Sequence, residues 1–488
     1  MSLIQVSNLT FSYEGSYENI FQNVSFQLDT DWRLGFTSRN GRGKTTFLQL
    51  LMGRYPYQGR ISASVQFSYF PYPVKDPGAM GIQIVEDICP EYEYWQLSRE
   101  LSLLGLEDEI LYRPYNTLSN GEQTKLLLAM LFLRENNFLL IDEPTNHLDI
   151  RGRELVSKYL RSKGGFILVS HDRAFLDGCV DHILSINKTD IQVMKGNFST
   201  WYSEKQRQDA FEQAENTKLK KEIRRLEETA RQKAVWSDRV EATKIGFGPC
   251  DRGYIGHKAE KMMARSKAIE KRQQSAIEEK SKLLKNIERN DSLKIFQADY
   301  HTDLLGELKD VSICYGQTPV CENISFQIRR GDRIALSGPN GCGKSSILKL
   351  ILGQPIPYSG QLKIGKGVTV SYVAQDTADL KGTLEDLTRE EGIDMSLMLA
   401  MLNKLDVSKV QMEKDLRLLS MGQKKKVLLA RSLCQKAHLH IWDEPMNYID
   451  VISRIQLEEL LLEYEPTILF VEHDKAFCRN VATKTVVF

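Results

Sequence analysis

The sequence has no long apolar segment and lacks the cysteine patterns of metal-linked or disulfide-linked folds. No run of about 18 apolar residues occurs, so a membrane-spanning helix is not expected. The first residues, MSLIQVSNLTFSYEG, lack the basic region and apolar core of a secretory signal. The eight cysteines include no C-x-x-C pair, which disfavours zinc sites and disulfide frameworks. We therefore expect a cytoplasmic protein with free thiols.

Charge is balanced over the whole chain but not along it. The chain has 65 lysine and arginine residues and 64 aspartate and glutamate residues, giving a net charge of +1. Residues 204–290, however, hold 22 basic residues against 15 acidic ones. This segment has one proline, Pro249, few glycines outside one short stretch, and no strand-like alternation. Its composition predicts helices with a basic surface.

One set of motifs occurs twice in the same order. The stretch TSRNGRGKTT, from Thr37, resembles a phosphate-binding loop in which Ser38 replaces the first glycine, whereas GPNGCGKSS, from Gly338, satisfies the pattern in full. Three further pairs keep the same register: TLSNGEQTK with LLSMGQKKK, LLIDEPTNHLD with LHIWDEPMNYID, and LVSHDRAF with FVEHDKAF. Four motifs repeated at matched spacing predict a duplicated module.

The regions around these motifs alternate short β-rich runs with helix-like runs. This pattern predicts an α/β fold with two P-loop nucleotide-binding domains, at residues 1–203 and 299–488. Between them, residues 204–298 carry apolar residues at helical spacing in two halves, which predicts a long α-helical hairpin. If residues 205–242 form one helix, the arm is about 57 Å long. Glycines and Pro249 place the tip loop at about residues 243–257.

The predicted tip carries apolar and aromatic residues beside cations: Lys244, Ile245, Phe247, Tyr254 and His257. A solvated coiled-coil spacer is the simpler interpretation of a charged hairpin, and it stays open. A spacer loop does not need exposed aromatic residues, however, because these lower solubility unless they meet a partner. Aromatic rings among cations suit stacking on RNA bases and contact with phosphates.

The phosphate loops predict ATP binding with Mg²⁺. Their glycines let backbone N–H groups approach phosphates, the lysine reaches the β and γ phosphates, and the next hydroxyl can bind Mg²⁺. Ser38 affects the turn that leaves the strand rather than the amides that bind, so we expect both loops to be functional. The predicted ATP-binding residues are Asn40, Gly41, Gly43, Lys44, Thr45 and Thr46 in the first loop, and Gly338, Asn340, Gly341, Gly343, Lys344, Ser345 and Ser346 in the second.

Two carboxylates follow an apolar run in each module. Asp142 and Asp443 are predicted to bind Mg²⁺ together with Thr45 and Ser345, and Glu143 and Glu444 to polarise the attacking water. The further predictions are a γ-phosphate contact from His171 and His473 and adenine stacking on Tyr13 and Tyr315. Structural histidines and ordinary strand aromatics are the alternatives.

The elements LSNGEQ and LSMGQ resemble the signature of ABC-type ATPases, in which a serine and a glycine at a helix start cover the ATP of the opposite module. The resemblance implies a head-to-tail sandwich of two composite sites. In one, Lys44, Asp142, Glu143 and His171 face Ser420 and Gly422. In the other, Lys344, Gln375, Asp443, Glu444 and His473 face Ser119 and Gly121, with Gln375 matching the glutamine of the family that contributes to Mg²⁺ binding.

The two composite sites depart from the family pattern to different extents. The Lys44 site has Ser38 in place of glycine and Tyr72 in place of the glutamine, while the two signatures have Asn120 and Met421 where the family usually has glycine. We therefore expect slower or more regulatory turnover at the Lys44 site.

The duplicated module with a basic helical hairpin resembles the ABC-F family over essentially the whole chain, and DEPTNHLD is its most specific motif. The hairpin sequence and the elements LSMGQKKK and WDEPMNYID look like the Lsa-type branch of antibiotic-resistance proteins. The resemblance implies a monomer with an intramolecular sandwich that binds the bacterial 70S ribosome, its rRNA and the tRNA at the peptidyl site, without membrane or DNA partners. It also implies protection from lincosamides, pleuromutilins and streptogramin A.

Other functions remain open. A housekeeping ABC-F factor acting on stalled or vacant ribosomes would have the same motifs. The energising subunit of a membrane transporter would have no use for the basic hairpin, and a DNA-repair ATPase of this class would usually carry zinc cysteines or a much longer coiled coil. The second module ends soon after His473, so we expect no contacts from a C-terminal tail.

Overall fold

The computed structural model describes residues 2–13, 19–186, 191–242, 293–315, 318–378 and 380–488. These residues belong to two compact units, one formed by Met1–Ser199 with Asn290–Phe488 and the other by Thr200–Arg289. The predicted tip at 243–257 and the second half of the predicted hairpin lie outside the described residues.

The first unit contains both predicted α/β modules, which confirms the fold class. The strands of the first module are β1 Leu3–Phe11, β2 Phe21–Asp29, β3 Arg33–Thr37, β4 Gln58–Ser62, β5 Gln66–Phe70, β6 Asn137–Asp142, β7 Phe166–Val169, β8 His182–Ile186 and β9 Ile191–Lys195. Its α-helices are α1 Lys44–Leu51, α2 Gly81–Ile88, α3 Tyr94–Leu103, α4 Asn120–Leu133, α5 Ile150–Arg161 and α6 Arg173–Cys179.

The second module follows the same order of elements, except that it has one additional short helix and, among its described residues, no counterpart of β9. Its strands are β10 Leu304–Tyr315, β11 Thr318–Arg329, β12 Arg333–Ser337, β13 Tyr358–Ile364, β14 Val370–Val373, β15 Leu439–Asp443, β16 Ile468–Val471 and β17 Lys484–Val487. Its α-helices, numbered after helix α7 described below, are α8 Lys344–Ile351, α9 Leu384–Glu391, α10 Met395–Lys404, α11 Lys409–Met412, α12 Met421–Cys434, α13 Val451–Tyr464 and α14 Lys475–Val481. Leu293 and Ile295 are buried in its core, so this module extends upstream of residue 299.

Each module has a central sheet whose core strands are parallel. The strand orders are β5-β6-β7-β3-β8-β9 in the first module and β14-β15-β16-β12-β17 in the second. Only β9 runs antiparallel to its neighbour among these described strands. The strands followed by the phosphate loops, β3 and β12, therefore lie next to β7 and β16, which precede the histidines. Ligands bind at such carboxyl ends of parallel strands.

The strands that carry the motifs are buried on both faces, as expected for parallel strands covered by helices. Every residue of β7, β15 and β16 is buried. A smaller antiparallel sheet completes each module, with orders β2-β1-β4 and β11-β10-β13. This packing fixes the strand ends and thereby the positions of the motif residues.

The two modules contact each other through matching ion pairs. Arg173 pairs with Glu458, and Lys475 pairs with Glu154. Arg173 and Lys475 occupy the same position in the repeated HDRAF and HDKAF motifs. Both modules thus use the residue that follows the histidine–aspartate dipeptide to contact the opposite module.

Helix α7 spans Phe198–Ala242 without interruption, which confirms the predicted helix over residues 205–242. Its 45 residues extend about 67 Å at 1.5 Å per residue. The segment contains neither glycine nor proline and is rich in alanine, glutamate, lysine, glutamine and arginine, all of which favour helix. The helix begins six residues before the predicted boundary at residue 204.

Candidate active site

Both phosphate loops connect a buried parallel strand to a helix that begins at the motif lysine. Gly43 and Gly343, which directly precede the lysines, have φ values of 92°. A Cβ on Gly43 would lie 2.5 Å from the side chain of Ile20, so glycine is needed there for both conformation and space. The loops thus have the backbone shape that a phosphate cradle requires.

Ser38 leaves the first loop intact. The Nζ of Lys44 donates to the carbonyl oxygen of Ser38 at 2.8 Å, just as Lys344 donates to Gly338 at 2.9 Å. The second loop needs its glycine because a Cβ on Gly338 would lie 2.8 Å from the sulfur of Cys342. The lysine is therefore positioned equally well in both loops, which supports ATP binding by the first.

The predicted Mg²⁺ ligands lie together at the ends of β6 and β15. The Oγ1 of Thr45 donates to Asp142 Oδ2 at 2.9 Å, and Ser345 hydrogen-bonds Asp443. Within the described residues, the buried Oδ1 of Asp443 has no hydrogen-bond partner. Burial raises the pKa of Asp443 to about 6, which a cation would reverse. Hydroxyl and carboxylate oxygens with one unsatisfied atom fit Mg²⁺, which would neutralise phosphate charge there.

Each predicted catalytic glutamate lies beside its predicted histidine. The Nε2 of His171 is 3.3 Å from Glu143 Oε1, and that of His473 is 3.6 Å from Glu444 Oε1. Both glutamates have left-handed backbone, with φ of 52° and 46°. Such strain in a non-glycine residue is typical of functional sites.

The two glutamates have opposite electrostatic surroundings. Burial raises the pKa of Glu143 to about 8, and the neighbouring Asp142 carboxylate adds to the rise. Burial also raises the pKa of Glu444, but the neighbouring His473 and a hydrogen bond from Gln375 outweigh it, so this pKa is lowered. Gln375 Nε2 donates to Glu444 Oε2 at 2.9 Å. Glu444 is therefore held as a carboxylate, the form that acts as a base.

The Lys344 site opens into a cleft of about 810 Å³ shared by the two modules. Predicted residues of both modules line it: Ser119 and Gly121 from the first, and Tyr315, Asn340, Gly341, Gly343, Lys344, Ser345, Ser346, Gln375, Glu444 and His473 from the second. Ser119 begins α4 with a capping box to Glu122, and this helix start lines the same cleft as the second phosphate loop.

The first phosphate loop contacts the opposite module directly. Asn40 Nδ2 donates to the carbonyl oxygen of Tyr448 in the opposite module at 2.8 Å. Gly422 lies so close that an added Cβ would be 2.9 Å from the same Asn40 nitrogen. Burial lowers the pKa of Lys44, opposed mainly by the charge of Asp450 across the interface. The signature of the second module is thus next to the first phosphate loop.

The predicted adenine-stacking tyrosines lie beside the phosphate-loop helices. The hydroxyl of Tyr13 is 2.9 Å from Thr46 Oγ1, and that of Tyr315 is 3.2 Å from Ser346 Oγ. Both rings keep an exposed face, with 42% and 50% of their surface accessible. Stacking on adenine stays a prediction. The tip residues Lys244, Ile245, Phe247, Tyr254 and His257 lie outside the described residues.

Sequence reasoning missed three polar residues next to these sites. Tyr69 donates from its hydroxyl to Asp142 Oδ2 at 2.9 Å, and Asn447 Nδ2 donates to Glu444 Oε2 at 2.6 Å. Lys425 is buried on α12 and contacts the backbone of the Gln375 loop. Tyr69 could have been found from the sequence, because it lies near the end of β5, the strand that pairs with β6.

The duplicated phosphate loops, paired carboxylates and opposed signature helices define a two-module P-loop ATPase. The family described as "ABC transporter" matches residues 21–146 and 321–447, which is more than half of the chain. The chain is 29% identical over 488 residues to the ribosome protection protein VmlR of Bacillus subtilis, covering 98% of this chain and 85% of that protein. It is 27% identical to the ATP-binding protein Uup of Buchnera aphidicola, covering 100% and 80%.

A solved structure of archaeal ABCE1, in complex with the ribosomal stalk protein aP1, shares the fold with a TM-score of 0.64 at 20% identity, covering 98% of this chain and 87% of that one. The chain therefore belongs to the ABC transporter family of ATP-binding proteins and is an ABC-F-type ATPase that uses ATP with Mg²⁺. Within the described part of the chain, no helix is both long and apolar enough to cross a membrane.

Proposed function

We propose that this ATPase binds the bacterial 70S ribosome and protects its peptidyl-transferase centre from antibiotics. The observation that carries the proposal is the end-to-end similarity to a ribosome protection protein, which includes the segment between the modules. The drug classes inferred are lincosamides, pleuromutilins and streptogramin A, as in the Lsa-type branch. Binding would be cytoplasmic and would involve rRNA and the peptidyl-site tRNA.

Helix α7 provides the reach for this role. It extends about 67 Å, and the tip residues that follow it in the sequence combine aromatic rings with cations. A basic arm gives salt-dependent affinity for rRNA phosphates, and aromatic side chains can stack on unpaired bases. In the proposal, residues 204–298 are the linker, residues 243–257 are the tip, and the flanking modules act as one monomeric sandwich.

ATP acts as the timer of this cycle. With ATP in both sites, the γ-phosphates bridge each phosphate loop to the opposite signature, at Ser119 and Gly121 on one side and Ser420 and Gly422 on the other. Glu143 and Glu444 polarise water, and His171 and His473 contact the γ-phosphate. Its loss on hydrolysis removes the bridge, so that the sandwich opens and the factor leaves.

A housekeeping role on stalled or vacant ribosomes is the second candidate. It is favoured by the nearly equal similarity to Uup, whose name carries no reference to drugs. Drug susceptibility separates the two. Expression in a susceptible bacterium should raise the inhibitory concentration of the three drug classes, and a Phe247→Ala, Tyr254→Ala variant should abolish the increase. The control, Phe211→Ala, alters an exposed aromatic residue on α7 away from the tip and should retain protection.

Unchanged susceptibility in cells whose ribosomes bind the protein would support the housekeeping role instead. Protection that survives the tip substitutions would contradict the assigned role of the tip.

A further inference from the structure

The two modules differ at two buried positions, which hold charged residues in the second module and neutral residues in the first. Lys425 on α12 occupies the position of Thr124 on α4, and Glu472 occupies the position of Ser170 before the motif histidine. All four residues are buried, with Lys425 1% and Glu472 3% exposed. A buried lysine and a buried glutamate replace two neutral hydroxyl residues, although the motifs around them match.

In the first module these positions make short-range contacts. Thr124 donates its hydroxyl to the carbonyl oxygen of Asn120 on its own helix at 2.9 Å. The hydroxyl of Ser170 lies 3.3 Å from that of Thr145 and accepts from the Asp172 N–H at 3.2 Å. Within the described residues, Thr124 makes no hydrogen bond to the loop that carries Tyr72.

In the second module the ammonium of Lys425 joins three elements. It donates to the carbonyl oxygen of Ala374 at 2.8 Å, of Gln375 at 3.4 Å and of Asp443 at 3.2 Å. Lys425 belongs to the signature helix, whereas Gln375 and Asp443 belong to the Lys344 site. One side chain therefore ties the signature that covers one ATP site to the Gln375 loop and the Asp443 strand of the other.

Glu472 holds the adjoining backbone. Its Oε1 accepts from the N–H groups of His473 at 2.7 Å and Asp474 at 3.3 Å, and its Oε2 accepts from Met446 N–H at 3.1 Å. Met446 lies two residues after Glu444. The carboxylate thus fixes both the histidine backbone and the segment that follows the catalytic glutamate.

The charges of these two groups balance within the core. Burial lowers the pKa of Lys425 to about 8, and the carboxylates of Asp443 and Glu472 are the largest opposing influences. Buried charges persist when they are hydrogen-bonded, and both groups here bond to backbone atoms.

We propose that Lys425 and Glu472 are positioning residues that couple the two ATP sites. They hold the Gln375 loop, the end of β15 and the backbone of His473 as one body with α12, so that nucleotide in the Lys344 site aligns Ser420 and Gly422 over the Lys44 site. The first module, with Thr124 and Ser170, has no equivalent charged link among its described contacts.

The test removes the ammonium while keeping the side-chain stem. Lys425→Met is introduced into a Glu143→Gln background, where Glu444 carries turnover, and into a Glu444→Gln background, where Glu143 does. We expect kcat to fall about tenfold or more in the first background, as when other residues that orient the groups of a site are replaced. KM should change less. Lys424→Met, on the same helix and partly exposed, is the matched control and should change neither.

A binding readout tests the coupling itself. In the Glu143→Gln, Glu444→Gln protein, a fluorescent ATP analogue should bind cooperatively, with a Hill coefficient above one. Lys425→Met should bring that coefficient to one. Non-cooperative binding by the parent protein would overturn the coupling, and unchanged kcat in the Glu143→Gln background would overturn the positioning role.

A second variant distinguishes a loss of coupling from a loss of stability. Lys425→Thr, Glu472→Ser installs the residues of the first module and leaves no unpaired buried charge. It should recover the melting temperature lost by Lys425→Met but not the cooperativity. Recovery of both the melting temperature and the cooperativity would show that Lys425 and Glu472 contribute to stability alone.

Discussion

Asn40 in the first phosphate loop donates a hydrogen bond to the carbonyl oxygen of Tyr448 in the second module, 2.8 Å away. The Tyr448 backbone has a positive φ of 63°, and a Cβ on Gly422 would lie 2.6 Å from the same oxygen. Strained backbone, a signature glycine and a phosphate-loop side chain therefore meet at one point. The first phosphate loop thus contacts the opposite module directly, and the Lys344 site opens into the 810 Å³ cleft.

This contact predicts unequal effects of equivalent asparagine substitutions. Asn40→Ala removes the bond to Tyr448 and should destabilise the nucleotide-free protein by about 1 kcal/mol. Asn340→Ala, in the open cleft, is the matched control and should have almost no effect in the same state. Thermal unfolding without nucleotide measures both, and equal shifts in melting temperature would contradict the packed arrangement.

The different surroundings of the two catalytic glutamates also predict unequal contributions to hydrolysis. Glu444 receives hydrogen bonds from Gln375 and Asn447, whereas the Lys44 site has Tyr72 in place of the glutamine. Because loss of a general base costs about 10²-fold or more at its own site, Glu444→Gln should remove most of the steady-state ATPase activity. Glu143→Gln should leave the larger residual activity. Equal residual activities of the two purified variants would refute this asymmetry.

The buried ion pair behind the second signature predicts a large stability effect. Lys426 Nζ lies 2.7 Å from Asp450 Oδ2, both groups are buried, and the charge of Lys426 helps to hold the pKa of Asp450 far below its usual range against the effect of burial. Lys426→Met leaves the buried Asp450 carboxylate without its paired cation and should lower the free energy of unfolding by about 3–5 kcal/mol. Lys125→Met changes the equivalent, partly buried lysine of the first module and should cost less than about 1 kcal/mol. Urea unfolding measures the free energy of unfolding of both variants. Equal losses would show that another group compensates the charge of Asp450.

A buried histidine predicts a specific pH dependence of stability. His440 on β15 is fully buried, and burial lowers its pKa to about 4 from an ordinary value of 6.5. Between these values the unfolded chain binds a proton that the folded protein does not, so stability falls as pH drops from 6.5 to 4. The loss reaches about 3 kcal/mol at pH 4.

The test replaces His440 by the residue at the same position in the first module, Leu139. His440→Leu should gain stability relative to the unsubstituted protein on going from pH 7.5 to pH 5, as measured by melting temperature. Parallel melting curves at the two pH values would show that His440 does not titrate on unfolding.

Much of the fold and of the two sites could be predicted because motif spacing encodes it. Phosphate loops and carboxylate pairs need particular residue types at particular strand ends, and a serine followed three residues later by Glu122 or Gln423 specifies a helix start. These requirements involve residues that are close together in the chain, so they can be predicted from the sequence. The uninterrupted helix α7 was predictable for the same reason.

The features that escaped prediction depend on tertiary burial. The run QKKK shows three lysines in sequence, but only the packing of α12 distinguishes the buried Lys425 and Lys426 from the partly exposed Lys424. The contact of the first phosphate loop with the opposite module joins residues several hundred positions apart, Asn40 and Tyr448. Leu293 and Ile295 likewise belong to the second module because of where they pack.

The central claim is that the ATP-bound sandwich binds ribosomes, and co-sedimentation tests it most directly. The Glu143→Gln, Glu444→Gln protein should keep ATP in both sites because both bases are absent. It should pellet with bacterial 70S ribosomes in ATP and stay in the supernatant in ADP. Failure to pellet with either nucleotide, or equal pelleting with both, would contradict an ATP-timed ribosome-binding function.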